Sequence, residues 1–174
     1  MADSPGKTLY LLRHAKAKKA VPGEDDLARP LIRRGREAAA RIAAWMVERR
    51  IKPAAILCSP SLRTRETIEA LRPALGRAEV SFDARLYGAS PTVMLGLIEA
   101  LPAGSDSALI VGHNPGLEEL ALGLAGHGVG RALARMREKF PTGGLAVLTA
   151  PVADWHGFAA VSRLAEFIRP ADLE

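Results

Sequence analysis

Three short apolar runs, each followed by a polar segment, constrain what this chain can fold into more than any other feature. They are residues 8–12 (TLYLL), 54–58 (AAILC) and 108–111 (ALIV). Short apolar runs bounded by turn residues indicate buried strands, and helical patterns separate these three. Strands that alternate with helices form a mostly parallel sheet with helices on both faces. The sequence therefore predicts an α/β fold, a single domain of three layers, α/β/α.

The segments between the apolar runs have helical periodicity. Apolar residues such as Ala38 and Ile42 recur at spacings of three and four, which predicts a helix over residues 33–50. Ser59–Pro60 and Asn114–Pro115 each pair a capping side chain with a proline suited to the first helical position. Further helices are expected over residues 60–75, 91–101, 115–124 and 131–140, and short strands over residues 80–82, 144–149 and 158–164.

Length and composition favour one globular domain and limit its partners. A chain of 174 residues suits a single domain, with residues 1–7 as a flexible N-terminal tail and residues 8–170 as the domain. The net charge of +5 favours anionic partners without choosing among them. Aromatic residues make up 5% of the chain, too few to favour base stacking, so we expect no nucleic-acid partner.

Cysteine content and hydropathy bear on the cellular compartment. Cys58 is the only cysteine, so the chain has no internal disulfide framework and suits a reducing compartment. No segment has the apolar core of about 7–15 residues that a secretory signal needs, or the roughly 20 apolar residues of a membrane span. We therefore expect a cytoplasmic protein that does not associate with membranes.

Histidine and arginine residues follow the predicted strands where each strand ends. Arg13 and His14 follow the first apolar run, Arg63 lies beyond the second, and His113 follows the third. The carboxyl ends of parallel strands share one edge of a sheet, where ligands bind. Histidine can act as a nucleophile, and the arginine fork matches phosphate oxygens. The sequence therefore predicts that two imidazoles and two guanidiniums meet at a phosphoryl-transfer site.

Several sequence blocks resemble a known family. LLRHAKA (residues 11–17), SPSLRTRET (59–67) and VGHNPGLEEL (111–120) resemble, in the same order, the three signature blocks of the histidine phosphatase superfamily. The resemblance implies a phosphoglycerate mutase-like fold over residues 8–170. RPLIRRG, RLYGAS and FPTGGLAVL are similar to its short SixA-type branch, and they occupy residues 29–35, 85–90 and 140–148.

The resemblance implies a role for each matched residue. His14 would be the nucleophile that forms a transient phosphohistidine, with its other ring nitrogen donating to a backbone carbonyl. Arg13, Arg63 and His113 would hold the phosphoryl group, and no metal or cofactor is implied. The SixA-type branch removes phosphate from phosphohistidine on signalling proteins, so the expected partner is a phosphorylated protein or, failing that, a small phosphorylated substrate.

Two further residues are substrate-binding candidates, Lys16 and Asn114. Each also has a plainer interpretation, since Lys16 lies in a polar loop and Asn114 suits a helix cap. His127 and His156 lack partners at metal-ligand spacing, so no metal site is expected. The arginine that follows Cys58 does not have the spacing of a cysteine phosphatase loop, and Cys58 is interpreted as a small buried residue at a strand end.

One departure from the family pattern affects the chemistry. Larger members carry a glutamate general acid shortly after the third β segment, and the nearest position here is Tyr87, which is a poor acid near neutral pH. Asp83, Glu118 and Glu119 are candidate substitutes, or the acid is absent. A missing acid would slow the cleavage of alkyl phosphates most, because an alkoxide leaving group needs a proton. The P–N bond of phosphohistidine is more labile.

These observations leave three functions open. The first is a phosphohistidine phosphatase, the second a broad-specificity small-molecule phosphomonoesterase, and the third a catalytically weak phosphate-binding or protein-interaction module. The interval between Arg63 and His113 is short, so little chain is available for a cap over the site. We therefore expect an open site, which admits a protein substrate.

Overall fold

The predicted apolar runs become the central strands of one sheet. The computed structural model describes residues 6–126 and 130–174. Within those ranges six strands form a single sheet: β1 (Lys7–Arg13), β2 (Ala55–Cys58), β3 (Ser81–Phe82), β4 (Ser107–Gly112), β5 (Leu145–Ala150) and β6 (Arg163–Ile168).

The strand order across the sheet is β3-β2-β4-β1-β5-β6. β3, β2, β4 and β1 run parallel to one another, whereas β5 is antiparallel to β1 and β6 is antiparallel to β5. Parallel neighbours need long crossover connections, which helices supply. The predicted mostly parallel sheet is therefore confirmed, with the antiparallel pairings confined to the last two strands.

Helices cover both faces of this sheet. In the described part of the chain they are α1 (Arg33–Glu48), α2 (Leu62–Ala70), α3 (Arg72–Leu75), α4 (Pro91–Glu99), α5 (Gly116–Leu124), α6 (Arg131–Glu138) and α7 (Phe158–Val161). The first three pack against Leu12 and Leu109, and the last four against Leu11 and Ile110. Alternate side chains of β1 and β4 thus point into two separate cores. The predicted three-layer α/β/α arrangement is confirmed.

Two predicted elements differ in the structure. The helix expected over residues 60–75 is divided between Ala70 and Arg72, because Pro73 has no backbone N–H with which to continue the helical ladder. Residues 158–161 form α7 rather than the first half of a strand, and β6 begins only at Arg163.

The predicted N-terminal tail overlaps the sheet by one residue, since β1 begins at Lys7. Lys7 is buried, and its Nζ donates to the carbonyls of Ala103 over 2.6 Å and Ser105 over 2.9 Å. Residues 1–5 of that predicted tail lie outside the described residues, as does His127. Among the helices formed by residues 6–126 and 130–174, none has the length and apolar character needed to cross a lipid bilayer.

A buried threonine joins α2 to the segment that follows β1. Thr67 Oγ accepts a hydrogen bond from the backbone N–H of Ala15 over 3.0 Å and donates to the carbonyl of Arg63 over 2.7 Å. Ala15 is fully buried, so water cannot replace this acceptor. The contact therefore couples the position of α2 to the backbone beside the end of β1.

We expect Thr67→Val to lower the free energy of unfolding by about 1–3 kcal/mol, because the variant leaves the buried N–H of Ala15 without an acceptor. Urea-induced unfolding followed by circular dichroism measures this change. Thr149→Val, at a partly buried position of β5, is the matched control and should change stability by less than about 0.5 kcal/mol. Equal losses in the two variants would contradict the role assigned to Thr67.

Candidate active site

The carboxyl ends of β1, β2 and β4 meet at one edge of the sheet. The backbone N–H of His14, just after β1, donates to the carbonyl of Gly112 at the end of β4 over 3.1 Å. The N–H of Ser59, just after β2, donates to the carbonyl of Val111 over 3.1 Å. These bonds bring the rings of His14 and His113 to a centroid separation of 5.2 Å.

The backbone on either side of His14 is held from two directions. The carbonyls of Arg13 and His14 both accept from the N–H of Gly143, over 3.1 and 3.0 Å. Gly143 adopts a φ of 75°, a conformation that glycine tolerates best. The carbonyl of Lys16 accepts from the N–H of Ile32, at the start of α1, over 3.0 Å. The nucleophile candidate therefore lies on a rigid segment.

The His14 ring is held in one tautomer. Its Nδ1 lies 2.8 Å from the carbonyl oxygen of Ala15, and because a carbonyl only accepts, Nδ1 carries the proton. The lone pair of Nε2 is therefore free. Burial, together with the charges of Arg63 and Arg13, lowers the pKa of His14 to about 4. Near pH 7 the ring is neutral, which is the state in which Nε2 can attack phosphorus.

His113 lies between an arginine and a serine. Its Nδ1 is 3.3 Å from Nη2 of Arg63, and because a guanidinium only donates, Nδ1 accepts. Nε2 then donates to Oγ of Ser59 over 2.7 Å. Burial, followed by the effects of His14 and Arg63, lowers the pKa of His113 to about 3. A phosphoryl dianion placed beside the ring would oppose this shift.

Two arginines supply fixed positive charge. Arg63 is 4% exposed, and Nη1 of Arg13 donates to the carbonyl of Phe140 over 2.9 Å. The Nε atoms of both arginines are buried and have no hydrogen-bond partner among the described residues. A buried donor without an acceptor is unfavourable. A phosphoryl oxygen is an acceptor that could satisfy these donors.

All the predicted site residues line one basic cleft of about 730 Å³. The structure brings together His14, Arg13, Arg63 and His113 in this cleft, and it places Lys16 and Asn114 there too. The positively charged side chains that line the cleft are Arg13, Lys16, Lys19, Arg29, Arg63 and Lys139.

Sequence reasoning missed Asp26, which also lines the cleft. Its carboxylate accepts from Nη2 of Arg63 over 3.0 Å, from Nε of Arg29 over 2.9 Å and from the hydroxyl of Tyr87 over 2.5 Å. Tyr87 lies at a position where the sequence differs from the family pattern, but Asp26 lies outside all of the sequence blocks named above. Its contact with Tyr87 joins residues 61 positions apart, and no local pattern indicates such a pairing.

Two capping assignments made from the sequence are wrong. Asn114 does not cap α5, because that helix follows Pro115 without a side-chain cap and Oδ1 of Asn114 accepts from none of the described residues. Its Nδ2 instead donates to Oε2 of Glu118 and to the carbonyl of Phe140, both over 3.1 Å. Ser59 does not cap α2, because its hydroxyl is the partner of His113. The cap of α2 is Ser61, whose side chain accepts from the N–H of Thr64 over 3.4 Å.

The three candidate general acids, Asp83, Glu118 and Glu119, are not among the described residues that line the cleft. Asp83 lies in a different groove, where Nη2 of Arg85 donates to its Oδ2 over 2.7 Å. Glu118 is bound to Asn114, as described above, in the first turn of α5.

Other nucleophile and metal chemistries find no support in the described residues. Residues 6–126 and 130–174 contain no group of three His, Cys, Asp or Glu side chains that could hold a metal ion. Cys58 is buried and its Sγ donates to the carbonyl of Ser59 over 3.2 Å. Burial raises the pKa of the Cys58 thiol to about 12, so it is not a thiolate near neutral pH.

Known proteins share this sequence pattern. Residues 9–100 match the sequence profile of the histidine phosphatase superfamily, branch 1. Rv1276c of Mycobacterium tuberculosis is 37% identical over 146 residues, which span 79% of this chain and 85% of that protein.

Solved structures share the fold. SixA from Agrobacterium tumefaciens is 35% identical, with a TM-score of 0.80 over 94% of this chain and 98% of that chain. The protein histidine phosphatase SixA complexed with tungstate has a TM-score of 0.78 over 96% of this chain and 99% of that chain. Its identity of 21% supports the fold alone. The sequence and structural matches together show that the chain belongs to the histidine phosphatase superfamily, in its SixA-type branch.

Proposed function

We propose that this protein is a phosphohistidine phosphatase that acts on a cytoplasmic signalling or phosphotransfer protein through a transient phosphohistidine on His14. The observation that carries the proposal is the tautomer of His14, whose protonated Nδ1 faces the carbonyl of Ala15 and leaves Nε2 free beside two arginines. A nucleophile, fixed positive charge and a buried setting are the parts that phosphoryl transfer requires.

The reaction takes place in two displacements. Nε2 of His14 attacks phosphorus, the P–N bond of the substrate breaks, and the leaving imidazole keeps the electron pair and takes a proton from solvent. Water then attacks the phosphorus, the bond to Nε2 breaks, and inorganic phosphate leaves while the proton of the water passes to phosphate or solvent. Arg13 and Arg63 hold the equatorial oxygens in both steps, where charge spreads over them. His113 joins them when the phosphoryl dianion raises its pKa and Nδ1 also carries a proton that it can donate.

The acid–base character of the cleft supports a P–N rather than an alkyl phosphate substrate. Asp26 stays ionised because the hydrogen bond from Tyr87, together with Arg63, lowers its pKa to about 2. The same hydrogen bond raises the pKa of Tyr87. Neither group is suited to protonate an alkoxide near pH 7, whereas an imidazole departs without that help.

The shape and charge of the surface support a protein substrate. A second groove of about 490 Å³ adjoins the cleft and shares Lys16, Lys139, Pro141 and Thr142 with it. The two together form an extended basic surface that a small sugar phosphate would not fill. The similar SixA from Agrobacterium tumefaciens, which is 35% identical, bears the name of a phosphohistidine phosphatase, in agreement with this proposal.

The proposal is tested with a protein that carries ³²P-labelled phosphohistidine. Wild-type enzyme should form a phosphoenzyme that decays to inorganic phosphate, and His14→Ala should form none. The kcat/KM for this protein should exceed that for sugar phosphates by at least about 100-fold, the usual contribution of a general acid.

Other results identify the alternative functions. A preference for sugar phosphates would favour the broad-specificity phosphomonoesterase. Phosphate binding without any labelled intermediate would favour the catalytically weak binding module. Either outcome would overturn the assignment as a phosphohistidine phosphatase.

Arg63→Ala should reduce kcat/KM by about 10²–10³-fold, because it removes a preorganised donor from the phosphoryl group. Lys18→Ala should change it less than about threefold, since the exposed Lys18 pairs with Glu24 over 3.4 Å and its field is screened by salt. Steady-state kinetics at one ionic strength measure both variants. Equal losses would mean that the phosphoryl group binds elsewhere.

The acid limb of the pH profile of kcat/KM should lie below the pH range in which histidine ordinarily titrates. His14 is neutral above its pKa of about 4, so the fraction of active nucleophile should persist from pH 7 to about pH 5 and fall towards pH 4. NMR titration of the ring resonances, assigned with His14→Gln and His113→Gln, measures the two pKa values. A midpoint near 6 for His14 would contradict the structure.

Stability should follow the same titrations. In the unfolded chain both rings titrate near their ordinary pKa of 6.5, whereas in the folded protein the pKa values are about 4 and about 3. At pH values between the folded and the unfolded pKa of each ring, the unfolded state binds more protons than the folded state. The contribution of the two histidines to the free energy of unfolding should therefore decrease as the pH falls through this range.

A further inference from the structure

Asp26 is the one acidic side chain among the described residues that line the cleft. It lies in a short 3₁₀ turn, Asp26–Ala28, within the loop between β1 and α1. A carboxylate is an unexpected neighbour for a site that binds a phosphoryl dianion, because the two anions repel each other. Its contacts suggest what it does there.

The carboxylate and the backbone of Asp26 both bind the same arginine. Nη1 of Arg63 donates to the Asp26 carbonyl over 2.7 Å, and Nη2 donates to Oδ2 over 3.0 Å. The hydroxyl of Tyr87 donates to the same Oδ2 over 2.5 Å, and Nε of Arg29 donates to Oδ1 over 2.9 Å. Tyr87 and Arg29 therefore hold the carboxylate against the guanidinium of Arg63.

The donors of Arg63 are largely occupied in this arrangement. Nη2 faces both Oδ2 of Asp26 and Nδ1 of His113, Nη1 faces the Asp26 carbonyl, and Nε has no partner among the described residues. The side chain of Arg63 is 5% exposed. Without Asp26, a buried cation would lack a counterion whenever the cleft is empty, which is unfavourable.

We propose that Asp26 is a built-in counter-anion of the phosphoryl site. Its carboxylate competes with the bound phosphoryl group for Arg63, and it thereby lowers the affinity for inorganic phosphate so that the product leaves. The proposal rests on the proposed function only in taking phosphate as the product bound beside Arg63. Asp26 acts through Arg63 and through its charge, so it is a positioning residue rather than a catalytic one.

The physical argument concerns the product. Two arginines and two histidines around a phosphate dianion would hold it tightly, and slow product release limits turnover in many enzymes. As phosphate departs, the carboxylate again neutralises Arg63, so the guanidinium exchanges one anion for another. Tyr87 keeps the carboxylate close enough for this exchange.

The test is the affinity of the full chain for inorganic phosphate, measured by isothermal titration calorimetry at fixed ionic strength. Asp26→Asn removes the charge but keeps the backbone carbonyl that accepts from Nη1 of Arg63. We expect phosphate to bind about three- to tenfold more tightly, a modest effect because Asp26 is partly exposed and screened. Product inhibition should strengthen by the same factor, with no gain in kcat.

Two variants serve as controls. Asp25→Asn makes the same charge change one residue away, at a side chain that accepts from the N–H of Leu27 over 3.0 Å and does not line the cleft. Asp26→Glu retains the charge. Both should bind phosphate within about twofold of the wild type, since neither removes the charge beside Arg63.

Tightening is the informative result, because damage to the support of Arg63 would weaken phosphate binding instead. Unchanged or weaker binding in Asp26→Asn, or equal tightening in Asp25→Asn, would overturn the proposal. Phosphate binding needs no turnover, so this result is independent of whether phosphohistidine is the substrate.

Discussion

The Nδ1–H of His14 donates to the carbonyl of Ala15, and the N–H of Ala15 is in turn held by Thr67. A nucleophilic imidazole needs its proton on the nitrogen that faces away from phosphorus, and this chain of bonds keeps it there. The hydroxyl of Thr67 also donates to the carbonyl of Arg63, one turn earlier on α2. One helix therefore orients both the nucleophile and a cation that faces it.

The same site keeps its positive charge available by using neutral acceptors. Arg13 donates to the carbonyl of Phe140, and Arg63 donates to the carbonyl of Asp26. A carbonyl satisfies an N–H without cancelling the charge of the guanidinium. Burial then keeps His14 and His113 neutral beside these cations. The carboxylate of Asp26 is the exception among the lining residues that the structure describes.

The sequence was sufficient to predict those parts of the fold and site that follow from strand ends. Arg13, His14, Arg63 and His113 each lie just beyond an apolar run, and parallel strands bring such positions to one edge. Ser59 could not be predicted in the same way, because a serine before a proline has a local capping preference that a distant histidine overrides. Asp26 and Tyr87 meet only through tertiary packing, and although Tyr87 lies in a recognisable block, Asp26 belongs to no local pattern. The strand predicted over residues 158–164 was wrong at its start, since the apolar residues 158–161 suit a short helix as well as a strand.

The site is made from segments that are far apart in the chain. Arg63 and His113 are 50 positions apart, and Ala15 and Thr67 are 52. No fragment that lacks one of these strand ends can hold a phosphate ion in the way the whole sheet can. By mass action, an anion that occupies the cleft therefore favours the complete fold, by about 2.7 kcal/mol at a concentration 100 times its dissociation constant. A bound phosphate ion would thus stabilise the domain, and its removal would lower the free energy of unfolding by the same amount.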